Sequence, residues 1–234
     1  MFFTKKEKIE IPFIPSFEYE GQGEMSSWWF ERNFSQSRFG KHSHKGTNSC
    51  TLITLLTAEL IAREKCKVCV IKVFGLAMLE GNATYARLSD EGKLPSVNLN
   101  IPEAMEGLGN LLRNIQEWVC DDIVLPYGNS AITKICGVLR DGINIWQMVH
   151  FQKDYLFVVL IADNRSILLS FDKKNNAVSL FDSHNHTSWG AVMTQTNWNN
   201  LEGMVTWIIG MFKTHYRSQP DVFELSFLPR KDYK

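Results

Sequence analysis

The sequence has no surplus of charge, because its 25 lysines and arginines match its 25 aspartates and glutamates. That balance argues against nucleic acid or an anionic membrane surface as a partner, since both are bound through basic patches. Long hydrophobic runs are missing as well, and none reaches the ~18 apolar residues that a membrane-spanning helix needs. The opening "MFFTKKEKIEIPFIP" is interrupted by Lys5 and Lys6, so it does not read as a signal peptide. Cysteine is sparse and odd in number: Cys50, Cys66, Cys69, Cys120 and Cys136 lack the density of a disulfide scaffold. The expectation is a soluble protein of a reducing compartment, cytoplasmic or nuclear, or of the host cytosol for a secreted effector. No internal repeat and no low-complexity segment breaks the chain.

What is present is a core. With 234 residues and 44% of them hydrophobic, one domain with a substantial interior is expected over 36–234, preceded by an arm over 1–35. Pro12, Pro15 and the aromatics Trp28, Trp29 and Phe30 predict that the arm is irregular and packed onto the domain. Residues 50–64 are apolar on most faces and read as a central helix. "KVCVIKVF", 67–74, is short and β-branched and reads as a strand. Pro102 can open a helix that Met105, Leu108, Leu111, Leu112, Ile115, Trp118 and Val119 extend to about Asp121. "DYLFVVLIA", "SILLSF" and "AVSLFDSH", joined by short polar connections, predict an antiparallel meander. A last helix fits 197–213 and a last strand fits "VFELSFL". Helices first and a meander later make an α+β domain.

Cys50 stands where "GTNS" turns into this first apolar helix. Unpaired N–H groups and the positive end of the helix dipole would surround its sulfur there and favour the thiolate. A small residue filling a first-turn position would look the same. A thiolate nucleophile needs an imidazole partner and a group that orients it. Of the six histidines, His184 alone has a carboxylate at useful spacing, in "LFDSHNH". If the segment is extended, Asp182 and His184 face the same side, roughly 6.5–7 Å apart at the backbone. A polar strand end beginning a turn is the competing explanation. His42 and His44 precede the Cys50 loop among solvated residues, His150 ends an apolar run, and His186 shares the face of His184 but lies one step further from Asp182.

Metal binding is weighed on Cys66-x-x-Cys69, His42-x-His44 and His184-x-His186, but structural zinc usually wants two pairs at a recognisable separation. Neither a metal nor a cofactor is expected. Acyl chemistry also needs donors for an oxyanion. The Cys50 N–H can supply one, and the amide of Gln36, 14 residues upstream, is placed to supply another, with Asn48 as a closer but turn-like alternative.

Taken together, "SQSRFG…KGTNSCT" and "LFDSHNH" resemble the cysteine protease domain of herpesvirus large tegument proteins and the related tegument-like deubiquitinases of bacteria and animals. The resemblance covers roughly two dozen residues together with their order and spacing. It implies a papain-like α+β fold and cleavage of isopeptide bonds after the C-terminal Gly-Gly of ubiquitin, in some members also of NEDD8. It further implies Cys50 as nucleophile, His184 as general base, Asp182 as its orienter and Gln36 in the oxyanion hole. The loop "KHSHKGTNSC" departs from a simpler Gly-x-x-Cys approach by its two histidines.

The expected partner is ubiquitin or polyubiquitin. Gly46 and the segment around Gly190 are candidate walls of a two-glycine channel, and Asp90, Glu91, Glu103 and Glu106 candidate contacts for the basic ubiquitin tail. Trp28, Trp29 and Trp189 fit either a contact surface or the core. A cysteine acyltransferase would use the same Cys and His, and a catalytically silent ubiquitin-binding module is the reading outside enzymes.

Overall fold

"YLFVVLIA" is apolar at almost every position because the strand it forms, β4 (Tyr155–Ala162), is covered on both faces. Phe157 and Val159 point into one core, and Leu156, Val158, Leu160 and Ala162 into the other. A strand between two layers of helices has no solvent face on which to place polar residues. The protein is described here by a computed structural model covering residues 11–64, 70–124, 131–150 and 152–231.

Strand β4 pairs antiparallel with β5 (Arg165–Asp172), and β5 with β6 (Ala177–Asp182), which is the meander read from the sequence. Adding β1 (Phe17–Gln22), β2 (Met25–Phe30), β3 (Val119–Val124), β7 (Val192–Asn197) and β8 (Val222–Pro229) gives an eight-stranded antiparallel sheet. Its order is β1-β2-β7-β6-β5-β4-β8-β3. Helices α1 (Cys50–Glu64), α2 (Val70–Asp90) and α3 (Ile101–Leu108) share one core, and α4 (Ala131–Val149) and α5 (Leu201–Met211) the other. Helix α1 is buried on nearly every side, as expected for a central helix. Helix α2 lies directly against it. A Cβ on Gly81 would come within 2.5 Å of the Ile53 side chain and 3.2 Å of the Ile53 backbone nitrogen. That close approach lets the next residue, Asn82, reach the start of α1.

Several expected elements differ. Of the strand expected over 67–74, residues 70–74 open α2, and 67–69, with Cys66 and Cys69, lie outside the described residues. Val73, Phe74, Ala77, Met78 and Gly81 are buried at helical spacing, so the short β-branched run belongs to a longer periodic segment. The helix expected over 102–121 stops at Leu108, where Gly109 at φ 48° caps it. Residues 119–121 then pair with β8 instead. Of the arm, residues 17–30 form the β1–β2 hairpin, turning at Gly23 with φ 60°, rather than an irregular path. The last helix is shorter than expected, and residues 212–216 continue it as a π-helical turn.

Candidate active site

Helix α1 begins at Cys50, after a 3-10 turn over 43–48. Hydroxyls pin its first turn to β5. Thr51 Oγ1 lies 2.9 Å from Ser166 Oγ and donates to the Leu99 carbonyl at 2.8 Å, and Thr54 Oγ1, which donates to the Cys50 carbonyl at 2.7 Å, also lies 3.3 Å from the Ser166 carbonyl. The Cys50 sulfur is 3.8 Å from the carbonyl oxygen of Asn164. Asn164 sits in the two-residue β4–β5 turn, where Asp163 and Asn164 both have positive φ, as tight hairpin turns of this kind require. Cys50 is only 4% exposed.

Because β6 runs antiparallel to β5, its last residue, Asp182, arrives at the Ser166 end of β5. Asp182 Oδ1 accepts the His184 backbone N–H at 3.0 Å and lies 2.6 Å from His184 Nδ1. A carboxylate accepts only, so Nδ1 donates and Nε2 is left for Cys50, whose thiol feels the charge of His184. The meeting differs in one respect from the sequence reading. Strand β6 ends at Asp182 and His184 lies in the bend beyond it, so carboxylate and imidazole meet through a turn rather than by sharing a strand face.

Burial pushes the Cys50 thiol up, but the hydrogen bond and charge of His184, with Ser166, outweigh it and bring the thiol from 9.0 to about 7. For His184, burial pulls down, while the Asp182 charge and hydrogen bond and the contact with Cys50 raise it to about 9. Burial also disfavours the Asp182 carboxylate, yet His184 and His186 hold its titration well below the usual carboxylate range. Between these limits the site holds a thiolate beside an imidazolium. Activity that depends on this pair is expected to rise as pH passes about 7, where Cys50 loses its proton, and to fall past about 9, where His184 loses its own. A kcat/KM profile checks this. A single limb near the ordinary thiol value would mean that the two groups do not act as a pair.

Other cysteines are prepared differently. Burial, followed by the charges of Glu224, Glu117 and Asp122, pushes Cys120 up to about 12, and burial raises Cys136. His150 packs edge-on against Trp118. Among the described residues, no group of three or more His, Cys, Asp or Glu is arranged to hold a metal ion.

Gln36 bridges the two halves of the site. Its Nε2 donates to the Thr47 carbonyl at 2.7 Å, just ahead of Cys50, and its Oε1 accepts from Ser183 Oγ at 2.7 Å, just ahead of His184. Its backbone N–H donates to the Ser183 carbonyl at 2.8 Å. From α2, Asn82 Nδ2 donates to the Gln36 carbonyl at 2.8 Å, and its Oδ1 accepts from Ser49 Oγ at 2.6 Å. Gln36 is 2% exposed, not an ordinary surface residue. Gly190 is no open channel wall, since a Cβ there would meet the carbonyl oxygens of Glu31 and Phe34 at 2.4 Å.

Three groups that the sequence reading did not assign complete the arrangement: buried Ser166 beside the sulfur, and buried His186 with half-buried Tyr216 on the far side of Asp182. Only the motif "HNH" hinted at His186. Nothing in the sequence ties Tyr216 to a residue 34 positions away.

An antiparallel sheet packed against a central helix that opens on a cysteine makes this an α+β fold of the papain-like kind. The chain superposes on the ubiquitin-specific protease encoded by murine cytomegalovirus tegument protein M48, solved with a ubiquitin-based suicide substrate. The TM-score is 0.51, with 9% identity over 87% of both chains. The Pseudomonas avirulence protein AvrPphB is more distant, at TM-score 0.41 and 10% identity over 82% of this chain and 99% of its own. No family model matches the sequence, and no curated protein matches it.

Proposed function

We propose that the chain is a thiol-dependent deubiquitinase of the herpesvirus tegument type, hydrolysing the isopeptide bond after the C-terminal Gly-Gly of ubiquitin. The observation that carries this reading is Cys50 at the start of the central helix beside the joined His184 and Asp182, in a fold shared with a viral ubiquitin-specific protease. In acylation the Cys50 thiolate attacks the glycine carbonyl carbon, and the carbonyl π electrons move to oxygen. Collapse breaks the C–N bond as the leaving lysine amine takes the proton of His184 Nε2, leaving a thioester. His184 then removes a proton from water, the hydroxide attacks the thioester, and collapse expels the Cys50 thiolate beside the His184 imidazolium and frees the ubiquitin carboxylic acid, which loses its proton to solvent. A reduced thiol is needed throughout, which suits a cytoplasmic, nuclear or host-cytosolic setting.

In this scheme the Cys50 N–H and the Gln36 amide, through the hydrogen not given to Thr47, meet the oxyanion. Gln36→Ala is expected to slow acylation by about 10²–10³-fold, the scale of deleting one such donor, because the charge exists only in the transition state. Single-turnover kinetics checks this, beside ubiquitin binding by Cys50→Ala carrying the change. A loss of binding with normal chemistry would make Gln36 a substrate contact.

Of the carboxylates considered for the ubiquitin tail, Asp90 pairs with Lys45, Glu91 with Lys93 and Arg87, and Glu103 closes the capping box of α3. Trp29 is buried and stacks near Trp207 and His215, so it serves the core. Turnover of a ubiquitin C-terminal fluorogenic amide, run beside the NEDD8 equivalent, tests the proposal. Release of the fluorophore from ubiquitin is expected, and no release by folded, reduced protein would overturn it.

A further inference from the structure

Asp182 gives one carboxylate oxygen to His184, and its second oxygen meets two further groups. Tyr216 Oη donates to Oδ2 at 2.7 Å and also lies 2.8 Å from His186 Nε2, which is itself 3.3 Å from Oδ2. His186 and Asp182 are both fully buried. His186 Nδ1 faces the Gly190 carbonyl at 2.7 Å, and a carbonyl only accepts, so this nitrogen donates. The hydroxyl has one hydrogen to give. Tyr216 gives it to the carboxylate, a charge-assisted bond of the strongest kind, and His186 closes the triangle against both groups.

The rest of the fold holds Tyr216 in this place. It is the last residue of the π-helical turn that ends α5, a local departure from α-helix often found at functional sites. Its ring packs 5.4 Å from that of Phe212 and lies under the Arg165 guanidinium at 4.4 Å. Arg165 opens β5, directly after the turn that faces the Cys50 sulfur. The titratable and charged groups around the hydroxyl are Asp182, His184 and His186 from the end of β6 and the loop after it. Arg165 from β5, Cys50 from α1 and His215 from its own turn complete the set.

We infer that Tyr216, braced by His186, is a positioning residue that fixes the second oxygen of Asp182 so that the first stays aligned with His184 Nδ1. A carboxylate held at one oxygen can swing, and His184 would swing with it away from the sulfur. Tyr216 does not touch the reacting atoms in this account. Its ring stands edge-on to that of His184 at 5.9 Å, a contact that Tyr216→Phe keeps, and its hydroxyl acts through Asp182.

The inference rests on the Cys50, His184 and Asp182 assignment but not on ubiquitin, so its main readout is independent of substrate. The pH dependence of Cys50 alkylation by iodoacetamide is followed on the Cys50 peptide by mass spectrometry in four proteins: wild type, Tyr216→Phe, Asp182→Asn and the double variant. Tyr216→Phe is expected to move the thiolate midpoint upward, toward the ordinary thiol. With a cleavable substrate it should lower kcat by roughly ten- to a hundredfold with KM unchanged, the scale of one hydrogen bond to a charged group. In the Asp182→Asn background the same change should do nothing further, because a residue acting through Asp182 has nothing left to act on. Superimposable alkylation profiles for wild type and Tyr216→Phe, or equal losses in both backgrounds, would overturn the inference. If Tyr216→Phe melts too early to compare, His186→Gln keeps the tyrosine and removes its brace. It should give the same upward shift, and an unmoved midpoint there counts equally against the account. Failure to cleave ubiquitin with the alkylation pattern intact would count against the substrate assignment only.

Discussion

Cys50→Ala is expected to abolish hydrolysis of a ubiquitin C-terminal amide, a loss on the order of 10⁶-fold, the scale of removing the nucleophile from a catalytic unit. The reason is local. Cys50 alone among the described cysteines has its thiol brought down, by an imidazolium neighbour at a helix start, whereas Cys120 and Cys136 are pushed up. Cys120→Ala and Cys136→Ala are therefore expected to leave turnover near normal. Alanine keeps the helix start and removes only the sulfur, so the melting curve should barely move. Full-rate Cys50→Ala would end the nucleophile assignment.

His184→Ala should cost nearly as much, and Asp182→Ala less, about 10⁴-fold, because the imidazole takes part in every proton transfer while the carboxylate only orients and stabilises it. The 2.6 Å bond joining them makes the two residues one unit, so their losses should not add. Adding Asp182→Ala to His184→Ala is expected to change little, since no imidazole remains to be aligned. Steady-state kinetics of the two single variants and the double variant measures this. Strictly additive losses, or an active His184→Ala, would mean that a different imidazole serves Cys50.

Much of the candidate site was legible because its parts are local. A polar loop running into an apolar stretch marks a helix start by composition, and that is where Cys50 stands. Asp182 and His184 are two residues apart, so any compact backbone brings them near each other. The turn that joins them was not legible, since the same residues suit a strand end. The meander was readable from short polar connections, which allow little besides hairpins. Errors came where a short window misled. Val70–Phe74 is β-branched in part, yet only the run as far as Tyr85 shows the helical period. Gly107 and Gly109 signalled the end of α3, against an apolar spacing that continued past them. Helix α4 carries Ile135, Leu139, Ile143 and Trp146 at helical spacing, a period present in the sequence that the reading did not use. The bonds from Tyr216 to Asp182, from Ser166 to Thr51 and from Asn82 to Gln36 are long-range, and no local pattern encodes them.

The central claim is that Cys50 is the nucleophile of an enzyme that recognises ubiquitin, and one measurement addresses both halves together. The reduced protein is incubated with ubiquitin carrying a C-terminal electrophile, and the product is analysed by intact mass and peptide mapping. The account predicts an adduct of one ubiquitin, attached at Cys50 and absent from Cys50→Ala. No adduct on folded protein, or attachment at Cys66, Cys69, Cys120 or Cys136 instead, would contradict it.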